Sequence, residues 1–215
     1  GVKSSAWDEI VTSGDVTRRL IEARGSAPFL HIGPARDAPL LAGLAGHKVD
    51  IHEADYVICS GLYDDETETP ADYTDLLEIM RARKLDFICA NPDLIVERGE
   101  QMIYCAGALA QAYEQLGGQA FYAGKPHAPI YAEAQRVADQ LCGQAIDKNN
   151  ILAIGDAFMT DVAGAATYGV DCLLVARGIH TDDFSLHEGP LSAEAVGRVM
   201  AGQIHRPVAV MDVLA

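Results

Sequence analysis

Positive charge is scarce in this chain: 16 Lys and Arg stand against 31 Asp and Glu, a formal net charge of −15. A general nucleic-acid surface needs a basic stripe. The only close basic clusters, Arg18-Arg19 and Arg81, Arg83, Lys84, read as solvated helix faces. Long apolar runs are lacking too, and nothing approaches the ~20 residues of a membrane-spanning helix. Neither a nucleic-acid partner nor a membrane is expected. The five cysteines, Cys59, Cys89, Cys105, Cys142 and Cys172, have no CxxC or zinc-like spacing. Their odd, scattered number fits a reducing compartment, so a cytoplasmic protein is expected. Cys59, Cys89 and Cys172 sit in apolar runs and read as small buried hydrophobes. No GxGxxG turn follows a strand, which counts against a dinucleotide-binding enzyme.

Short apolar runs alternate with helical patterns throughout, which argues for parallel α/β structure. Strands are expected over 28–32, 54–59, 86–90, 120–123, 151–154 and 172–176. A capped helix starts at Thr12-Ser13-Gly14-Asp15 and runs to about residue 23. Further helices are expected near 39–44 and over 70–83, 107–116, 129–141 and 162–168. Gly117-Gly118 reads as a helix stop. The tail from residue 191 reads as a helix and a short strand.

One segment carries more chemistry than any other. The apolar run ending at Ile154 reads as a buried strand and stops abruptly in Gly155-Asp156, with Thr160-Asp161 opening the next helical stretch. Ligands of open α/β sheets collect beyond the carboxyl ends of the strands. Two acids five positions apart around a tight turn can converge there on one hard cation such as Mg²⁺. A Gly-Asp turn followed by a Thr-Asp helix cap, with no chemistry, would look the same.

A second segment bears on that choice. Gly124-Lys125-Pro126-His127 follows another apolar strand, so Lys125 also belongs at a strand's carboxyl end. An ammonium fixed between a metal-binding carboxylate and an incoming phosphate suits phosphoryl transfer. Gly124 permits close backbone approach, and Pro126 is expected to start the following helix.

The segments GKPHAPIY (124–131) and AIGDAFMTD (153–161) together resemble the third and fourth motifs of the haloacid dehalogenase superfamily. ICANPDLIVERG (88–99) and IVTSGDVTRRLI (10–21) resemble its NagD-like class IIA branch. The resemblance implies a Rossmann-like parallel core with a large inserted α/β cap. It divides the chain into a leading segment, 1–13, a cap over 14–118, and the later half of the core over 119–215. It also implies a Mg²⁺-dependent phosphatase acting on a small phosphorylated substrate through an aspartyl-phosphate. In that mechanism Asp156 holds the metal, Lys125 contacts both nucleophile and phosphate, and Asp161 orients a metal-bound water or pairs with Lys125. Cap closure excludes water, and Asn91, Pro92 and Asp93 choose the leaving group. A sugar phosphate, a nucleotide or pyridoxal phosphate would all be compatible. A homodimer through the cap belongs to the same expectation.

The family's DxD strand and its second motif, a Thr or Ser after another strand, have no counterpart here. By comparison with the family, this looks like the carboxy-terminal portion of a longer protein, and it is expected to lack the nucleophile. It is expected to be inactive alone, with an intact cap and a core sheet that exposes an edge. A non-catalytic, two-lobed α/β ligand-binding protein is the alternative.

Other polar features are weaker. Asn91 on its Pro-stiffened turn could equally be an Asx-turn satisfying its own backbone. The acidic loop 64–68 lacks the glycine and spacing of a calcium loop and reads as solvated. His31, His47, His52, His180, His187 and His205 show no metal spacing and are assigned no site. His127, next to Lys125-Pro126, is a candidate pocket-lining residue, with helix capping or surface exposure the favoured reading.

Overall fold

The computed structural model describes residues 3–99, 101–187 and 189–214. The outer ends of the expected leading segment and core half, Gly1, Val2 and Ala215, therefore lie outside the described residues. The chain divides into two compact units, Gly1–Gly124 and Lys125–Ala215.

The first unit is built on four parallel strands in the order β1-β2-β3-β6. These are β1 (Phe29–Ile32), β2 (Tyr56–Cys59), β3 (Asp86–Cys89) and β6 (Gln119–Tyr122). Every residue of β1 and β2 is buried, as in a sheet covered on both faces. Helices α1 (Ser13–Glu22), α2 (Thr74–Ala82) and α3 (Ala106–Gln115) supply the layers. Val57, Phe87, Leu77, Met80, Leu109 and Tyr113 pack into one core, while Ile21, Phe29, Tyr56 and Ile88 form a second. Two features start α1: Thr12 accepts the Asp15 amide, and the Asp15 carboxylate accepts the Thr12 amide at 2.8 Å. The expected helix near 39–44 is instead a 3₁₀ segment, Ala35–Leu41, with Pro39 inside it.

An antiparallel pair, β4 (Ile95–Arg98) and β5 (Gln101–Tyr104), has no counterpart in the expected elements. β6 joins the first sheet by pairing with β3, Phe87 opposite Ala120 and Ile88 opposite Phe121. The sequence boundary at Gly117-Gly118 assigns this strand to the second unit. Its pairing moves the division to Gly124.

The second unit has a three-stranded parallel sheet in the order β7-β8-β9. Its strands are β7 (Leu152–Gly155), β8 (Asp171–Val175) and β9 (Ala209–Met211). Helices α4 (Ala128–Cys142), α5 (Ala163–Tyr168) and α6 (Ala193–Ala201) accompany them. Phe158, Val162, Cys172, Leu174, Phe184 and Leu186 form its core. Pro129, not Pro126, occupies the first turn of α4. Among the described residues β7 pairs only with β8, and Leu152 and Ile154 remain about half exposed, at 51% and 50%. This is the open sheet edge expected of the second unit. No helix among the described residues is long and apolar enough to cross a membrane.

Candidate active site

β7 ends at Gly155 and delivers Asp156 at its carboxyl end. The chain then turns through a π-helical segment, Phe158–Val162, into α5. Asp161 lies within that segment and points back under the strand end. One of its oxygens, Oδ2, accepts the amides of Asp156 at 3.2 Å and Ala157 at 3.1 Å. The other, Oδ1, accepts from Lys125 Nζ at 2.7 Å. This carboxylate is thus a buried hub joining the Asp156 turn to the lysine that precedes α4. Gly155 makes room for it, because a Cβ there would lie 2.2 Å from Asp161 Cγ.

The hub engages the two acids differently. Both Asp161 oxygens are already hydrogen-bonded within the protein, so Asp156 and Asp161 do not converge as two ligands. The sequence allows that convergence; the backbone amides at the start of the turn take the second acid instead. Asp156 is half-buried. Its Oδ2 accepts the Ile179 amide at 3.3 Å, and its Oδ1 has no hydrogen-bond partner among the described residues. No group of three or more His, Cys, Asp or Glu among the described residues could form a cation cage. One free carboxylate oxygen still suits Mg²⁺, which commonly takes one or two carboxylates and fills its shell with water and substrate phosphate. The donor set fits that ion at Asp156.

Lys125 keeps its side chain 51% exposed, whereas that of Asp161 is 8% exposed. The pair therefore aims the ammonium more than it stabilises the unit. Tyr131 on α4 supports the same turn. Its hydroxyl lies 3.2 Å from the carbonyls of Thr160 and Asp161, and its ring stacks on Tyr168 with centroids 5.6 Å apart. Burial, and then the nearby Asp161 charge, push its phenol up to about 12, which keeps the hydroxyl a neutral donor. Tyr131 is absent from the residues the sequence singles out, although its place four residues after His127 on α4 is readable. A cavity of about 370 Å³ is lined by Lys125, Tyr131, Ile154, Asp161 and Tyr168 among others.

The remaining candidates lie in the first unit. Asn91 forms an Asx-turn, its Oδ1 accepting the Asp93 amide at 3.1 Å. The Cys89 thiol donates to the Asn91 carbonyl at 3.1 Å, so this loop is braced from the end of β3. Pro92 packs close beneath Gly124. The acidic loop departs from its solvated reading. Asp65 is nearly buried and accepts from Arg36 and, at 3.0 Å, from Arg98. Hydrogen bonding from Arg36, followed by that from Arg98, holds its carboxyl below the usual range. Glu68 accepts the Asp64 amide and the Tyr73 hydroxyl. These acids tie the loop to its own unit.

Comparison with known proteins adds four likenesses. The HAD-hydrolase-like family model matches residues 122–197, a stretch that contains Lys125, Asp156 and Asp161. An acid sugar phosphatase of Staphylococcus saprophyticus is 26% identical over 180 residues, 82% of this chain. The matched stretch spans 65% of that curated relative's length. Among solved structures, a haloacid dehalogenase-like hydrolase from Brucella suis superposes with a TM-score of 0.73 at 52% identity, over 86% of this chain and 70% of that one. A glycerol phosphate phosphatase from Mycobacterium tuberculosis, solved with magnesium, superposes with a TM-score of 0.66 at 22% identity, over 94% of this chain and 55% of that one. The last likeness bears on the fold alone.

Proposed function

Because the chain belongs to the haloacid dehalogenase-like hydrolase family, we propose that it is the lysine- and metal-bearing part of a Mg²⁺-dependent phosphoric monoester hydrolase. One observation carries this reading: Lys125 Nζ lies 2.7 Å from Asp161 Oδ1, while Asp161 Oδ2 holds the backbone of the turn bearing Asp156. A cation-binding carboxylate and a fixed ammonium thus sit on one hydrogen-bonded frame at the end of β7. Phosphoryl transfer depends largely on such positioning and charge stabilisation.

In this reading Asp156 holds Mg²⁺, which when bound supplies charge neutralisation at the phosphoryl oxygens. Lys125 adds its charge to the same oxygens and to the attacking carboxylate. Asp161 keeps Lys125 extended and has no direct part in the bond changes. The attacking group is a carboxylate that the described residues do not place beside Lys125. It displaces the alcohol from phosphorus to form an aspartyl-phosphate, and water then cleaves that acyl phosphate, returning carboxylate and inorganic phosphate. Asn91, Pro92 and Asp93 are assigned the choice of leaving group. The acid sugar phosphatase likeness supports a small hydroxylated one. The five free thiols, four of them buried, support a reducing, cytoplasmic setting.

The test is steady-state hydrolysis of p-nitrophenyl phosphate, sugar phosphates, glycerol phosphate and nucleotides by the full-length protein, with Mg²⁺ titrated. Mg²⁺-dependent turnover is expected from the full-length protein and none from residues 1–215 alone. Robust Mg²⁺-dependent turnover by the 215-residue chain would overturn the assignment of the nucleophile. Asn91→Ala and Asp93→Ala should change the ranking of esters by kcat/KM while leaving Mg²⁺ affinity unchanged.

A further inference from the structure

We propose that His180 is a positioning residue for the Asp156 turn, serving as the acceptor that completes its hydrogen bonding. The inference rests on reading Asp156 as the cation ligand. Three consecutive amides, those of Asp156, Ala157 and Phe158, head the turn after β7. At the start of a helical segment such amides lack partners within the helix. Asp161 Oδ2 accepts the first two. The third donates to His180 Nε2 at 3.3 Å.

That contact defines the histidine's chemistry. To accept, Nε2 must carry no proton, so the neutral ring holds its proton on Nδ1. Nδ1 lies 2.7 Å from Asp183 Oδ2, and the carboxylate thereby selects this tautomer. The imidazole also packs on the Phe158 ring, with centroids 4.7 Å apart.

The segment that presents His180 restrains Asp156 a second time. The neighbouring Ile179 amide donates to Asp156 Oδ2 at 3.3 Å. A Cβ at Gly178 would stand 2.3 Å from the same oxygen, so the backbone reaches the carboxylate only because residue 178 is glycine. The segment itself is anchored: Thr181 Oγ1 donates to the Gly178 carbonyl at 2.7 Å, and Arg177 pairs with Asp212 through contacts of 2.8 and 3.1 Å. One oxygen of Asp156 is held by residue 179, and the backbone two positions onward is held by His180. The direction of the free oxygen follows from both.

The test uses the full-length protein and compares His180→Leu, which removes the acceptor, with His180→Gln, whose amide oxygen can replace it. Amide exchange at Phe158 is read by NMR, and Mg²⁺ binding is read by calorimetry without ester. His180→Leu should speed Phe158 exchange and weaken Mg²⁺ binding about tenfold, as supporting partners of metal ligands do. His180→Gln should recover most of both, and ester KM should change far less than Mg²⁺ affinity. Unchanged exchange and affinity in His180→Leu would overturn the proposal. Equal impairment in the Leu and Gln variants would also overturn it, by assigning the effect to ring packing. If His180→Leu does not fold, Asp183→Ala carries the test, with weaker Mg²⁺ binding and faster Phe158 exchange expected and no change contradicting. A wild-type protein that neither binds Mg²⁺ nor hydrolyses esters would refute the phosphatase reading, while the Phe158 exchange comparison would still decide the hydrogen bond.

Discussion

Asp156 and Asp161 are the same residue type, five positions apart, yet the structure places them in opposite surroundings. Asp161 is enclosed and accepts three hydrogen bonds; Asp156 keeps one oxygen free. Removing a buried acceptor leaves its donors unsatisfied, at ~1–3 kcal/mol for such a group. Asp161→Ala should therefore lower unfolding free energy by about 2 kcal/mol, whereas Asp156→Ala should leave it within about 0.5 kcal/mol. Urea titration of both variants tests this division; equal losses would remove it. Lys125→Ala should change stability little, because its ammonium is half exposed. Its kcat/KM should fall by roughly 10²–10³-fold, as when one preorganised electrostatic donor is deleted.

At the scale of elements, the strands most legible in the sequence are those that lie inside a covered sheet. Within the expected strands 54–59 and 86–90, the stretches 56–59 and 87–90 are unbroken by charge because both their faces are buried, and β2 and β3 occupy them. The box that starts α1 is equally legible, since its signal lies within the four residues Thr12 to Asp15. Thr12→Ala should cost about 1 kcal/mol in urea unfolding, and a loss below a few tenths would show that packing alone holds the helix start. Local signals fail where partners are distant in sequence. Nothing within 119–122 says that the strand pairs with β3 instead of standing beside 152–155. The β4–β5 pair is obscured by exposed, mixed residues such as Glu97 and Met102. At the candidate site, the placement of Asp156 and Lys125 is legible because each follows a strand and a glycine. That of His180 is not, since its partner amide lies 22 residues earlier and belongs to a backbone turn.

For the whole molecule, the acidic balance makes charge placement consequential. Asp65 is held below the usual carboxylate range by Arg36 and Arg98, so its contribution is present above about pH 3.9 and lost as pH falls through its lower folded value. His31 behaves differently. Burial lowers its imidazole pKa, and its Nε2 lies 3.0 Å from Ser60 Oγ. Below about pH 6.5 the unfolded chain takes up a proton that the folded one resists, so stability falls with pH from there. Urea midpoints should drop between pH 7.5 and 5.5, and His31→Asn should flatten that slope; an unaltered slope would assign it elsewhere. The central claim is that Asp156 and the Lys125–Asp161 pair form a Mg²⁺-dependent phosphatase site. Its most direct test is kcat/KM for p-nitrophenyl phosphate against Mg²⁺ concentration, in full-length wild type and Asp156→Ala. The account predicts saturable Mg²⁺ activation in the wild type and its loss in a folded Asp156→Ala protein. Hydrolysis that needs no divalent ion, or that survives Asp156→Ala with unchanged Mg²⁺ dependence, would contradict it.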